Sequence, residues 1–319
     1  MALTIDQLNA LTKKHIAPRI TNNVFDAIPL LSRLRKQNRE IFTGGVQIEE
    51  PIIFQGTGQA GGFTGDGPLP TISQEHTTSA KFDLITYQVP LVVSQRQIVL
   101  NAGPNGIHKL LNVVREVSEL DLKDVMSQDL FTGNESAVEN DKYDGLQLAI
   151  DDDDSPKAYG DILTTDLADW KADDSAAFGA ITPQKMQGVI GDVTFGLDRP
   201  TLIVCTQDIY DKWWGLLQQN ERYTDVEEAD GGFKFLRVSG IPLMVDPKVP
   251  SAASNDQTMY FLNETYMFWY THKDVDMEML PFQRPENAWN MVGHVISMNQ
   301  LVLNRRKAHA RRTGVDPTA

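Results

Sequence analysis

Residues 56–61 read Gly-Thr-Gly-Gln-Ala-Gly, letter for letter the glycine spacing of a dinucleotide-binding loop, and they follow an extended run. That chemistry seats a pyrophosphate on a helix N-terminus, and the continuation Gly62-Phe63-Thr64-Gly65-Asp66-Gly67-Pro68 cannot start a helix, so the segment reads as a loop. Asp151-Asp152-Asp153-Asp154 offers hard oxygen ligands, but counting from Asp151 the sixth and twelfth positions are Pro156 and Ile162, where a calcium loop needs glycine and glutamate. This is the pattern of a solvated acidic loop. The histidines, His15, His76, His108, His272, His294 and His309, are scattered, and none stands at the i, i+4 spacing that puts two metal ligands on one helix face. Cys205 lies in the apolar run Leu202-Ile203-Val204-Cys205 and reads as a packed thiol, with no cation nearby in sequence to make it reactive. The residues thus predict no catalytic, cofactor-binding or metal-binding site. The dense basic run Arg305-Arg306-Lys307-Ala308-His309-Ala310-Arg311-Arg312 leaves three readings open: contact with DNA phosphates, contact with a neighbour's acidic surface, or a solvated tail. Trp213-Trp214 and Met267-Phe268-Trp269-Tyr270 read as core or interface, because no basic residues interleave with the latter.

The 319 residues fit one large or two linked domains, with an ordinary globular composition of 41% hydrophobic and 23% charged residues. Lysine and arginine number 29 against 43 acidic residues, and a formal charge of -14 repels nucleic acid. The start, Met-Ala-Leu-Thr-Ile-Asp, lacks the basic and apolar regions of a secretion signal. No window approaches the ~18 apolar residues of a membrane span. The expectation is a cytoplasmic, non-enzymatic protein.

Residues 4–39 carry a mildly helical apolar pattern, including a Leu30-Leu31-Leu34 cluster, broken by Pro18 and Pro29. Such an arm needs a neighbouring surface to be stable. Residues 46–54 and a run through Phe82, Leu84, Tyr87 and Val89 read as strands of a long hairpin. Between them, residues 56–70 hold six glycines and two prolines, too many for a core of their own. After Gly103-Pro104-Asn105-Gly106 comes the strongest helical pattern, Ile107, Leu110, Leu111, Val114, Val117, Leu120, Val125 and Met126, closed by Thr132-Gly133-Asn134. Residues 143–270 alternate helices and strands: Thr182-Pro183 is an N-cap with proline at the first helical position, and Leu202–Cys205 reads as a buried strand. Residues 289–303 alternate at period two, with Val292, His294, Ile296, Met298, Gln300 and Val302 on one face.

This order of arm, glycine-tipped hairpin, spine helix, mixed domain and returning strand resembles tailed-bacteriophage major capsid proteins. Tyr143-Asp144-Gly145-Leu146, Arg199-Pro200-Thr201-Leu202-Ile203-Val204 leading to Ile209-Tyr210-Asp211, the Gly240-Ile241-Pro242 bend, and Met259-Tyr260-Phe261-Leu262-Asn263 also look like this family. The resemblance implies an α+β, HK97-like capsid fold. It has an N-arm at 1–45, an extended E-loop at 46–90, a P-domain at 91–140 plus 271–319 with its spine helix at about 106–131, and an A-domain at 141–270.

It further implies a virion shell subunit, assembled in the host bacterial cytoplasm into hexamers and pentamers around packaged double-stranded DNA. A scaffolded procapsid would expand on maturation, with a separate scaffolding protein because the arm begins at Met1. The remaining implied partners are a portal protein and a decoration protein. Contact between subunits falls to Gly61, Gly62 and Phe63 at the E-loop tip and to Leu30, Leu31 and Leu34 of the N-arm. The rival readings are an encapsulin-like nanocompartment shell and a hydrolase built on 141–270.

Overall fold

The computed structural model describes residues 28–56, 58, 60–62, 65, 75–96, 104–133, 142–154, 157–219, 236–286 and 289–318, with residues 104–114 and 218–219 described by backbone alone. The first helix, α1 (Pro29–Gln37), has proline in its first turn and no side-chain cap at Ile28. An acceptor comes from far along the chain instead: the Asp246 carboxylate takes the Leu30 amide at 3.2 Å, doing the work of an N-cap. Beyond it, Asn38 donates its side-chain amide to the carbonyls of Glu264 and Met267, which ends the helix and turns the chain into β1 (Arg39–Phe42).

The hairpin consists of β2 (Ile48–Ile53) and β3 (Thr77–Phe82), paired from Ile48 opposite Phe82 to Ile53 opposite Thr77 in a two-stranded sheet of their own. The chain then runs through β4 (Ile85–Ser94) into α2 (Pro104–Thr132), whose 29 residues make a rod of roughly 43 Å. Its buried stripe is Leu122, Met126 and Leu130, four residues apart, joined by Phe131. Val117 and Val125, which the periodicity assigns to the same apolar set, lie on the exposed side.

Next come α3 (Leu146–Ala149), two short strands β5 (Asp173–Ser175) and β6 (Gly179–Ala180), and α4 (Pro183–Asp192). The sequence sets the start of α4: Thr182 accepts the Lys185 amide at 3.3 Å and Pro183 follows it. After β7 (Leu202–Cys205) and α5 (Gln207–Gln219) the chain is mostly strand. These are β8 (Leu236–Val238), β9 (Ile241–Val245), β10 (Ser251–Ala253), β11 (Asp256–Leu262), β12 (Met267–His272), β13 (Glu278–Gln283), β14 (Asn290–Leu303) and β15 (Ala310–Asp316).

The strands form two larger sheets. One runs β1-β12-β14-β13, with β4 also paired along β14 from Asn290 opposite Ser94 to Asn299 opposite Ile85. The other runs β5-β15-β11-β7-β9-β8, with β6 on β15 and β10 on β11. Both faces of its centre are covered: Val204, Tyr260 and Leu262 point into a core shared with α1, α2 and the first sheet, whereas Ile203, Cys205, Met259 and Phe261 face α4 and α5. Two-sided burial is why β7 and β11 read as unbroken apolar runs.

The last part of the chain is divided between the two sheets. Residues 271–319 do not stay together, because β15 pairs with β11, β5 and β6 in the second sheet, while β12, starting at Met267, pairs with β14 in the first. The chain crosses from one sheet to the other near 304–309, a step that local patterning cannot reveal.

Where α2 meets the following segment, the backbones touch. Gly145 donates to the Gly133 carbonyl at 2.9 Å, and Gly133 to the Asp129 carbonyl at 2.6 Å. A Cβ on Gly145 would sit 2.5 Å from the Asp129 oxygen and 2.7 Å from the Gly133 nitrogen. Tyr143 is fully buried beside this crossing, its ring 5.2 Å from Tyr87 and 5.3 Å from Trp269, and its hydroxyl donates to the Met126 carbonyl. The Tyr143-Asp144-Gly145-Leu146 phrase is thus a packing signature of the spine's end.

Candidate assembly surfaces

Among the described residues, the hairpin is held most firmly at its foot. Ile48, Ala80 and Phe82 are buried, Phe82 packs 4.9 Å from the Tyr159 ring, and Tyr270 donates its hydroxyl to the Glu50 carboxylate. Gly160, at φ 67°, closes the joint, since a Cβ there would lie 2.8 Å from the Ala80 side chain. Further out the hairpin is more exposed: Ile52 still packs against the core, but Ile53 is 78% exposed, and around Gly56, Gly58, Gly61, Gly62 and Gly65 an added Cβ would meet nothing within 4 Å. Gly61 and Gly62 are exposed; Phe63, the third residue assigned to the tip, lies outside the described residues.

Leu30, Leu31 and Leu34 are placed differently from expectation. They are 1%, 0% and 1% exposed, packed in the chain's own core, so none of them is open to a second subunit. Their i, i+1, i+4 spacing gives one helix face, and spacing alone does not say whose surface covers it. Charged residues of α1 and of the strand that follows clamp the helix down: Arg33 pairs with Glu264, and Arg35 and, from β1, Arg39 with Asp276.

A second exposed surface is the outer face of the first sheet. The alternation expected in β14 is present, but the fully buried inner positions are Val295, Ser297 and Asn299, and the apolar set Val292, Ile296 and Met298 is half-buried on the outside. Register extends this stripe across the sheet, to Val92 opposite Val292 (53% exposed) and to Leu280 opposite His294 (39% exposed). An apolar sheet face left in water is the mark of a surface that another element covers.

The basic run is neither a solvated tail nor a free phosphate-binding patch. Arg306, Arg311 and Arg312 are buried. Arg311 forms a two-pronged pair with Asp174, and Arg312 pairs with Asp173, joining β15 to β5 by charge as well as by backbone. Arg305 pairs with Asp198 at 2.9 Å, and Lys307 with Asp169 at 3.3 Å. The acidic loop belongs to the same arrangement: Asp151, Asp152 and Asp174 bring carboxylate oxygens within 4.8 Å of one another, and the Arg311 guanidinium reaches both Asp151 and Asp174. Asp154 accepts from the Thr164 amide and hydroxyl. Cys205 is buried and its thiol is pushed well above the ordinary value by burial alone, as a packed residue rather than a nucleophile. Trp213 is buried in the second core, while its neighbour Trp214 is half-exposed.

His309 is the buried titratable group with the clearest consequence. Its Nδ1 accepts the Asn263 amide, and desolvation lowers its pKa to about 3. The unfolded chain protonates this residue near 6.5, so stability is full above that pH and falls by up to ~1.4 kcal/mol per unit as pH drops from 6.5 towards 3. Asp246 and Asp151, whose pKa values are raised by burial, act in the opposite sense, gaining stability as pH falls through their raised values toward the ordinary carboxylate value. His309→Asn keeps an acceptor for the Asn263 amide and is expected to flatten the pH 4–6.5 limb of a urea-unfolding series. An unchanged limb would remove His309 from the account.

No family model and no curated relative matches the chain. Among solved structures, a chain of the cyanophage A-1(L) capsid is similar at TM-score 0.68 and 16% identity, covering 98% of this chain and 99% of that one. A chain of the holo-SrpI encapsulin complex from Synechococcus elongatus PCC 7942 gives 0.66 at 14% identity, over 100% and 98%. The capsid of the native GTA particle gives 0.65 at 10% identity, over 95% of both chains. The chain therefore has the α+β HK97-like fold. Among the described residues, no helix is long and apolar enough to cross a membrane.

Proposed function

We propose that the chain is the major capsid protein of a tailed bacteriophage, a non-enzymatic subunit that builds an icosahedral shell around double-stranded DNA. The observation that carries this reading is the hairpin: Ile53 near its outer end is 78% exposed, and an added Cβ at its described tip glycines, Gly56, Gly58, Gly61, Gly62 and Gly65, would meet nothing within 4 Å. A lone two-stranded hairpin is marginal in water, and burial at ~25 cal/mol per Å² against a neighbour supplies what is missing. In the assembled shell it lies over an adjacent subunit, and the outer face of the β4-β14-β13 sheet offers an apolar surface of the kind such a strand pair covers. The N-arm is 1–45, the E-loop 46–90, and the P-domain is organised on α2 and the first sheet. The A-domain, 141–270, is joined by β15. It meets its copies at the axes of hexamers and pentamers, where half-exposed Trp214 is available for contact.

Assembly proceeds in the bacterial cytoplasm around a scaffolding protein, with a portal at one vertex and expansion during packaging. Negative-stain microscopy of the chain expressed with and without a candidate scaffold tests this: uniform shells are expected only with it. A monodisperse monomer under every condition would refute the shell reading. The encapsulin likeness, which spans the full chain, favours a second reading in which the shell encloses an enzyme. Particles purified with a bound enzyme instead of double-stranded DNA would select it.

A further inference from the structure

Arg306 is a buried cation with no carboxylate in contact among the described residues. The residue is 1% exposed, and its Nε and Nη2 donate to the carbonyls of Ala149, Leu148 and Asp151 at 2.8, 3.5 and 2.8 Å. Its guanidinium carbon lies 5.2 Å from the Tyr159 ring centre and 5.8 Å from that of Trp170. Nη1 has no hydrogen-bond partner, and among the described residues no carboxylate comes within 4.0 Å, although Asp151 and Asp154 act on it from further away. Taking a guanidinium out of water costs several kcal/mol unless an anion compensates it.

Arg306 lines a cleft of about 560 Å³ between the hairpin and the segments around Trp170 and 304–307, together with Ile53, Phe54, Trp170, Asn304 and Lys307. The wall chemistry describes an occupant. Lys307 supplies a second positive charge, because its own partner Asp169 is at 3.3 Å with a side chain 73% exposed, a weak pair. Asn304 Oδ1 is buried and unpartnered, an acceptor that asks for an N–H donor. Ile53 and Phe54 offer apolar contact. A free anion satisfies only the cations, whereas a peptide segment bearing a carboxylate supplies charge, amide donors and apolar side chains together.

The net charge identifies the source. Copies carrying -14 each repel one another, and setting carboxylates of one copy on cations of the next offsets that repulsion at an interface. We propose that the cleft at the hairpin's foot receives an acidic, carboxylate-bearing segment of a second copy of this chain, with Arg306 and Lys307 as its anchors. The proposal rests on the shell reading for the presence of that neighbour.

Particles assembled from a mixture of ordinary and 15N-labelled chain, treated with a carbodiimide that joins lysine amines to carboxylates in direct contact, test it. The expected result is a mixed-isotope peptide linking Lys307 to an aspartate or glutamate of another copy. Lys307 joined only to Asp169 of its own chain would overturn it. In parallel, Lys307→Glu, at a partly exposed position, is expected to leave the monomer's circular dichroism unchanged and to lower particle yield at least tenfold. Unchanged yield overturns the inference while the shell reading survives. A variant that forms normal particles but holds less DNA also overturns it, pointing to phosphate as the occupant. Failure of the unsubstituted chain to form particles under any condition removes the shell reading first.

Discussion

Replacing residues 56–74 by a two-residue Asn-Gly turn, so that Gln55 and Glu75 flank it, leaves a folded monomer and abolishes particles. An added Cβ at Gly56, Gly58, Gly61, Gly62 or Gly65 would meet nothing within 4 Å, so these positions are open and their removal leaves no packed side chain uncovered. The pairing from Ile48–Phe82 to Ile53–Thr77 is kept, and Phe54 still donates to the His76 carbonyl. Asn-Gly is the turn that a two-residue hairpin loop prefers, and a shorter loop costs slightly less to close. Stability by urea unfolding should therefore stay within about 0.5 kcal/mol. Losing a contact of ~3 kcal/mol per subunit lowers each association constant roughly a hundredfold, and a closed shell compounds that loss over every subunit. Particles at normal yield, measured by sedimentation, would show that the hairpin does no assembling.

The second large effect lies in the monomer. Gly145→Ala drives a Cβ to 2.5 Å from the Asp129 carbonyl oxygen and to 2.7 Å from the Gly133 nitrogen, both backbone atoms that cannot rotate away. Gly145 sits at φ -82°, which any residue adopts, so the loss comes from overlap and not from backbone strain. The end of the spine helix, Tyr143 and its contacts with Tyr87 and Trp269 must then shift together, and a loss of more than ~4 kcal/mol is expected. Gly188→Ala, on the exposed side of α4 with nothing within 4 Å, is the matched control. It should gain about 0.5–1 kcal/mol from helix propensity. Equal effects at the two positions would mean that the helix end is not close-packed.

Features written in local pattern were legible. The α2 periodicity, the Thr182-Pro183 start of α4, the alternation of β14 and the glycine-rich tip each follow from spacing over a few residues, and the order of these elements carried the resemblance to shell proteins. What escaped was long-range. The partner of Arg311 is Asp174, 137 positions away, and Arg306 reaches carbonyls more than 150 positions away, so a run that reads as a charged tail becomes the joint between two sheets. Leu30, Leu31 and Leu34 had the right face for docking but dock on their own chain, with Asp246 as a cap that no nearby residue announces. Register likewise decided that the apolar alternate of β14 faces outward and not toward the spine.

The most direct measurement is amide hydrogen exchange of residues 48–56 and 75–82 in free subunits and in assembled particles. If the hairpin gains its order from a neighbour, its outer amides exchange near the rate of unstructured chain when free and at least a hundredfold more slowly in particles. Equal protection in both states would contradict the account, because the hairpin would then be stable without a partner.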